Sequence, residues 1–361
     1  MTINFDAAQW DKIKRDYEAW WNGALSRPLI AVTLTGGNSD RAEPDVPNLP
    51  FAAFYSNRTS AEAIVDRWDY ELSRCRYLGD AFPSVWPNFG PGVLSAFIGA
   101  ELCTDSKTGT VWFHVPNQQP IDGMRFAMDE ENQWYRRIRS LYQAGLERWH
   151  GQVQMGMTDL GGTLDVLSTL RSGDCLLYDL YDHPEEVRRL TWNIHDLWRR
   201  YFEKLDHLLR PKNPGYTSWM PILSNLPSYM LQCDFSYMIS PAMFHDFVEP
   251  ELRASCQKLS RAFYHLDGPG ELPHLDILLN IPELKGIQWV PTDGPAGSAK
   301  WGDLYRRILE SGKRLQILGG LDTLDVLSGQ GLDLRGVFLC CSYDVSSEKE
   351  VAARLRHYGA I

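Results

Sequence analysis

The sequence predicts an α/β protein, a (β/α)8 TIM barrel with an N-terminal helical extension. Three observations carry this. Short apolar runs in the second half each end in Gly, Pro, Asp or Ser: YHLDGPG, IQWVPTDG, LQILGGLD and VFLCCSYD. Helix-like stretches lie between them, and such alternation marks βαβ units and a parallel sheet. The 361 residues, 44% hydrophobic, are ample for one large domain of this kind. The expected organisation is a single domain over 1–361. It carries an extension over about 1–27 and a Pro/Gly/aromatic excursion over about 80–125.

The elements follow in order. An amphipathic helix over 8–22 precedes a strand at 28–34, PLIAVTL. Helices are expected over 60–77, 127–149, 163–171, 184–208 and 241–261. Ser240-Pro241 opens the last, an N-cap with proline in the first turn, and Asp182-His183-Pro184 opens the helix at 184 in the same way. Further strands are expected at 153–159, VQMGMTD, and at 216–223, YTSWMPIL.

Composition removes several functions. A net charge of −10 and no basic stripe argue against nucleic acid. No run approaches 18 apolar residues and the N-terminus lacks an apolar signal core, so a soluble, cytoplasmic protein without a membrane partner is expected. Seven scattered cysteines do not form a secreted disulfide framework. No GxGxxG after a strand, no GxxxxGK[ST], no GxSxG and no HExxH occur, so no nucleotide cofactor is expected.

In a barrel the active site lies at the carboxyl ends of the strands. His265 and Asp267 follow AFYHL, an i, i+2 pair on one side of a strand, fit to hold a metal ion or a proton. His274, at the start of the next helix, could reach back toward His265 or cap its own helix, and Asp276 reads as helix scaffolding. Cys340 and Cys341 follow GVFL, where one could face the axis as a ligand or both could be small core residues. Asp159 follows VQMGMT and Asp234 follows MLQC, each able to move a proton, hold substrate or cap a turn. Pro291–Asp293 follow GIQWV, and Arg27 reads as a surface pair. Trp86, Asn88, Trp219, Tyr229, Phe235 and Trp289 are the candidates to shape a substrate pocket.

QCDFSYMISPAMFHDFVEPEL, FYHLDGPGELPHLDILL and GIQWVPTDG, in that order, resemble the uroporphyrinogen decarboxylase superfamily. TDLGGTLDVLSTLRSG followed by DLYDHPEEVRRL extends the likeness over roughly 150–350. The resemblance implies a (β/α)8 barrel. One branch decarboxylates porphyrinogens without metal, using N-terminal arginines, and the segment TGGNSDRAEP shows no such stretch. The other branch is zinc methyltransferases with a His-x-Cys and a later Cys. The matching positions here are His265-x-Asp267 and Cys340 or Cys341.

The expected activity is therefore metal-assisted methyl transfer or demethylation of a small molecule. A divalent metal, zinc first, would be held by His265, Asp267 and a third donor from Cys340, Cys341 or His274, with Asp159 and Asp234 moving protons or placing substrate. The resemblance implies a corrinoid protein, tetrahydrofolate or a thiol as methyl acceptor, and homodimerisation is left open. A cofactor-free decarboxylase or lyase for an acidic substrate is the alternative, and a non-catalytic binding barrel the third reading.

Overall fold

The protein is described by a computed structural model over residues 3–105 and 107–361. The strands are β1 (Leu29–Thr35), β2 (Arg76–Gly79), β3 (Ser84–Val85), β4 (Glu101–Asp105), β5 (Thr110–His114), β6 (Gln154–Met155), β7 (Ser228–Gln232), β8 (Arg261–Asp267), β9 (Leu284–Val290), β10 (Arg314–Ile317) and β11 (Val337–Asp344). The helices are α1 (Ala7–Trp21), α2 (Ala61–Ser73), α3 (Leu94–Phe97), α4 (Gln133–Trp149), α5 (Thr163–Leu170), α6 (Gly173–Asp182), α7 (Pro184–Leu209), α8 (Pro241–Phe247), α9 (Glu249–Lys258), α10 (Leu275–Leu279), α11 (Gly302–Glu310), α12 (Leu321–Gly329) and α13 (Glu348–His357).

The fold is mixed α/β. Among the described residues a seven-stranded sheet has the order β2-β1-β11-β10-β9-β8-β7. From β1 through to β7 every neighbouring pair is parallel, as the strand–helix rhythm predicts. β2 departs from this and runs antiparallel to β1. β3 and β6 form a separate parallel pair. Among the described residues the ladder does not continue from β7 to that pair, although the Leu160 N–H reaches the Tyr229 hydroxyl at 2.8 Å. The excursion holds β3, α3 and an antiparallel hairpin, β4–β5.

Some expected elements shift for clear reasons. The strand expected at 216–223 is only an isolated bridge between Tyr216 and Ser224. Pro214 and Pro221 punctuate that stretch and cannot donate to a ladder. The strand lies further on, at SYMLQ, buried on both faces as parallel strands are. The helix expected over 241–261 is two, because Pro250 opens a new first turn at α9.

Helix α1 closes one end of the sheet. Asp6 and Gln9 form a capping box at its start. Its buried stripe, Trp10, Ile13, Tyr17, Trp20 and Trp21, has helical spacing. Trp20 and Trp21 pack on Phe263 of β8, and Tyr17 packs on Phe338 of β11. Each such side chain contributes roughly 1.5–3 kcal/mol on burial. Packing at this end leaves the opposite, carboxyl ends of β7 and β8 to carry polar groups.

Candidate functional site

β7 and β8 are parallel neighbours, with Gln232 opposite His265. Two residues further along, Asp234 and Asp267 emerge at matching depth. Leu266, between His265 and Asp267, is fully buried, so the alternation of the strand turns both polar side chains away from it. Gly268 then turns the chain with φ +84°, where a Cβ would also press on Thr292. One ligand atom each from Asp234, His265 and Asp267 lies within 4.8 Å of the others, with both carboxylates exposed and the imidazole half-buried.

Each of the three is held by a partner from a neighbouring segment. Gln288 of β9, opposite His265, accepts the Nδ1 proton through its amide oxygen, which leaves Nε2 as the free nitrogen. Gln288 in turn donates to Gln316, its register partner on β10. Gln288 and Gln316 are 2% and 0% exposed, so this polar row crosses three strands inside the protein. The Asp267 N–H donates to Glu271 at 3.1 Å. The N–H of Phe235, next to Asp234, donates to Asp165 at 2.7 Å. Among the described residues, one oxygen of Glu271 and one of Asp165 are buried with no hydrogen-bond partner.

The electrostatics are one-sided. Burial raises the Asp159 carboxyl to about 7, with Asp234 adding to it and the Gly161 N–H opposing. Burial raises Asp165 to about 7, and the charge of Asp234 pushes the same way. Burial, then Asp234, raises Glu271 to about 9. Asp234 is open to solvent on one side but crowded by chain on the others, and that crowding raises its carboxyl, with His265 opposing and Asp267 reinforcing. No lysine or arginine is among the strongest influences on these four carboxyls. A cleft of about 320 Å³ opens beside Asp234, lined by Ser95, Asp165, Thr169, Gln232 and Phe235 among others.

The other candidates divide. Trp219 is half-buried and stands edge-on to His265, ring centres 6.2 Å apart, and to Tyr229 at 5.9 Å. Tyr229 is buried, with its hydroxyl on Leu160. Trp86 is half-buried beside Gly156. Asn88 holds a turn, accepting from the Gly90 N–H at 3.1 Å. Trp289 is fully buried against Trp301, facing core rather than cleft.

Three expected metal donors are not brought into the cluster. His274 is buried, stacks on Phe244 at 4.5 Å and donates Nε2–H to the Ser236 carbonyl at 2.9 Å. It braces the turn that carries Asp234. Cys340 and Cys341 are half-buried on β11, and burial raises their thiols to about 11 and about 12, so neither is a thiolate near neutrality. Asp276 pairs with Arg307, and Asp293 with Lys300 at 2.8 Å. Arg27 is not on the surface: it grips the fully buried Asp80 at 2.6 Å.

Among solved structures, the chain is similar to a methyltransferase from Methanosarcina mazei. The TM-score is 0.62 at 15% identity, over 96% of this chain and 99% of that one. The likeness is one of fold. No family model matches the sequence, and no curated protein matches it.

Asp165, Glu271, Gln288 and Gln316 escaped the sequence reading. The glutamines did leave a signal. GIQWV and RLQIL each place a glutamine inside an apolar buried strand, where an amide is costly without partners. Glu271 lies four residues after Asp267, within reach of its N–H, but GPGELP reads only as a turn.

Proposed function

We propose that this chain is an enzyme of metal-assisted methyl transfer or demethylation of a small molecule, built on an eight-stranded barrel. The observation that carries the reading is the convergence of Asp234, His265 and Asp267 within 4.8 Å, on a fold shared with a methyltransferase.

The residues fit a divalent cation. Two carboxylates and one imidazole suit zinc or manganese, and the donor set holds no sulfur. Ligand atoms around one ion with bonds of about 2.1 Å stand roughly 3 Å apart, so these side chains draw inward on binding. Burial first, and the charge of Asp234 second, raise the Asp165 and Glu271 carboxyls, so a cation bound at Asp234 would ease their ionisation. When bound, the ion supplies Lewis acidity to a substrate oxygen, nitrogen or sulfur.

The chain's own residues do the rest. Gln288 fixes the tautomer and the ring plane of His265, as partners behind a ligating histidine do. Glu271 and Asp165 fix the backbone of Asp267 and of the Asp234 turn. Asp159, titrating near 7, holds or accepts a proton beside Asp234. Trp219 and Phe235 wall the site and exclude water from one side. The strongest influences on Asp159, Asp165 and Glu271, besides burial and backbone N–H groups, are other carboxylates, a setting that favours a cation over an acidic substrate. A corrinoid protein, tetrahydrofolate or a thiol remains the proposed class of methyl acceptor. The reading is tested by metal analysis of the purified chain together with His265→Ala, followed by assay of demethylation on a panel of methylated small molecules. A protein that binds metal and turns over no methyl compound would leave it a binding barrel.

A further inference from the structure

A second polar pocket, of about 300 Å³, lies at the opposite ends of the strands from Asp234 and His265. It is formed where β10 and β11 begin and where the chain leaves α1. Its basic groups are Lys313, Arg314 and Arg335, and its one acid is Asp333. That excess of positive charge stands out in a chain of net charge −10.

The three basic groups differ. Lys313 is buried and committed, donating to the Ile281 and Leu284 carbonyls at 2.8 Å each. Arg335 is exposed and paired with Asp333 at 2.5 Å, a solvent-screened rim pair that is readily exchanged. Arg314 is half-buried over the Trp20 ring and, among the described residues, makes one side-chain hydrogen bond, to the Trp21 carbonyl at 3.2 Å. No carboxylate pairs with it among the described residues, so most of its five N–H donors have no protein acceptor. Gly23 and Gly336 pass close to its guanidinium, where a Cβ would stand 3.0 and 3.6 Å from its nitrogens. Side chains there would fill the space in front of the arginine.

We infer that this pocket binds an oxyanion of phosphate size, free or as a monoester, with Arg314 as its main contact and Arg335 closing over it from Asp333. A planar guanidinium with unused parallel donors matches the oxygens of phosphate, and a partly desolvated site strengthens the contact. Asp333 opposes the anion and is the group Arg335 must release. The site is separate from the proposed metal centre, and neither depends on the other.

Titration calorimetry on the chelator-treated full chain tests this, with inorganic phosphate and glycerol phosphate as probes. The expected result is saturable binding of at least one probe, weakened about tenfold or more in Arg314→Gln. Arg335→Gln, at an exposed position where folding is not at stake, should weaken it several-fold. Tighter binding of the ester would identify a phosphate monoester as the ligand, and tighter binding of the free ion would identify phosphate itself. No saturable binding to the wild-type chain, or affinity unchanged in Arg335→Gln and in a folded Arg314→Gln, would overturn the proposal.

Discussion

Gln288 accepts the Nδ1 proton of His265 from the neighbouring strand, and hands the polarity on to Gln316 one strand further. A histidine at the strand end is thereby fixed from inside the sheet, with Nε2 left for another partner. Gln288→Leu, close in size and unable to accept, should lower divalent-metal affinity by about 10–100-fold, the usual range for such partners. Fluorescence or calorimetric titration of the metal into both proteins measures it. Equal affinities would mean that the glutamine row is only packing.

Glu271 gives the structure a pH signature. Its folded pKa, about 9, lies above the ordinary carboxyl value, so its contribution to stability is full in acid. That contribution is lost progressively as pH rises from the unfolded value, near 4.5, through about 9. Glu271→Gln keeps the shape without the titration. Its stability should overtake that of wild type as pH rises from 6 to 9, by an amount on the order of a few kcal/mol. Denaturant melts at several pH values in chelator decide this, and parallel pH curves for the two proteins would refute it.

The thiols of β11 should be bystanders. Cys340→Ser and Cys341→Ser are expected to leave metal stoichiometry unchanged and affinity within about threefold, because both thiols stay protonated and outside the donor cluster. Loss of metal from either variant would restore a sulfur ligand to the site.

His274 is expected to act on stability rather than on chemistry. His274→Ala removes a buried bond to the Ser236 carbonyl and a stacked contact with Phe244. A cost of about 2–4 kcal/mol is expected from the cavity and the lost bond. Metal binding should survive in the folded fraction, and thermal melts with metal titration separate the two effects.

Much of this was legible in the sequence, for physical reasons. The strands β8, β9, β10 and β11 announce themselves as apolar runs ending in turn residues, and their parallel order follows. His265 and Asp267 share a side of β8 because strand periodicity is two, which needs no structure to see. Asp234 was visible as a polar residue after an apolar run, yet its place in the cluster depends on the register of β7 against β8, which no local pattern encodes. The same holds for the third donor: Cys340 and Cys341 sit on another strand, and nothing in the sequence says how far β11 lies from β8. His274 was left between a reach toward His265 and a cap on its own helix because its partner, the Ser236 carbonyl, is a backbone group 38 residues away. β2 was not expected: the helix read over 60–77 ends at Ser73, and the short antiparallel strand Arg76–Gly79 that follows has no alternation long enough to mark it.

The most direct test is a titration of zinc and of manganese into the chelator-treated wild-type chain and into Asp234→Asn, His265→Ala and Asp267→Asn, read by calorimetry and by elemental analysis after gel filtration. The predicted result is one equivalent of a divalent metal on the wild-type chain, weakened at least tenfold by each substitution. A wild-type chain that takes up no stoichiometric metal, or one whose affinity is untouched by His265→Ala, would contradict the account.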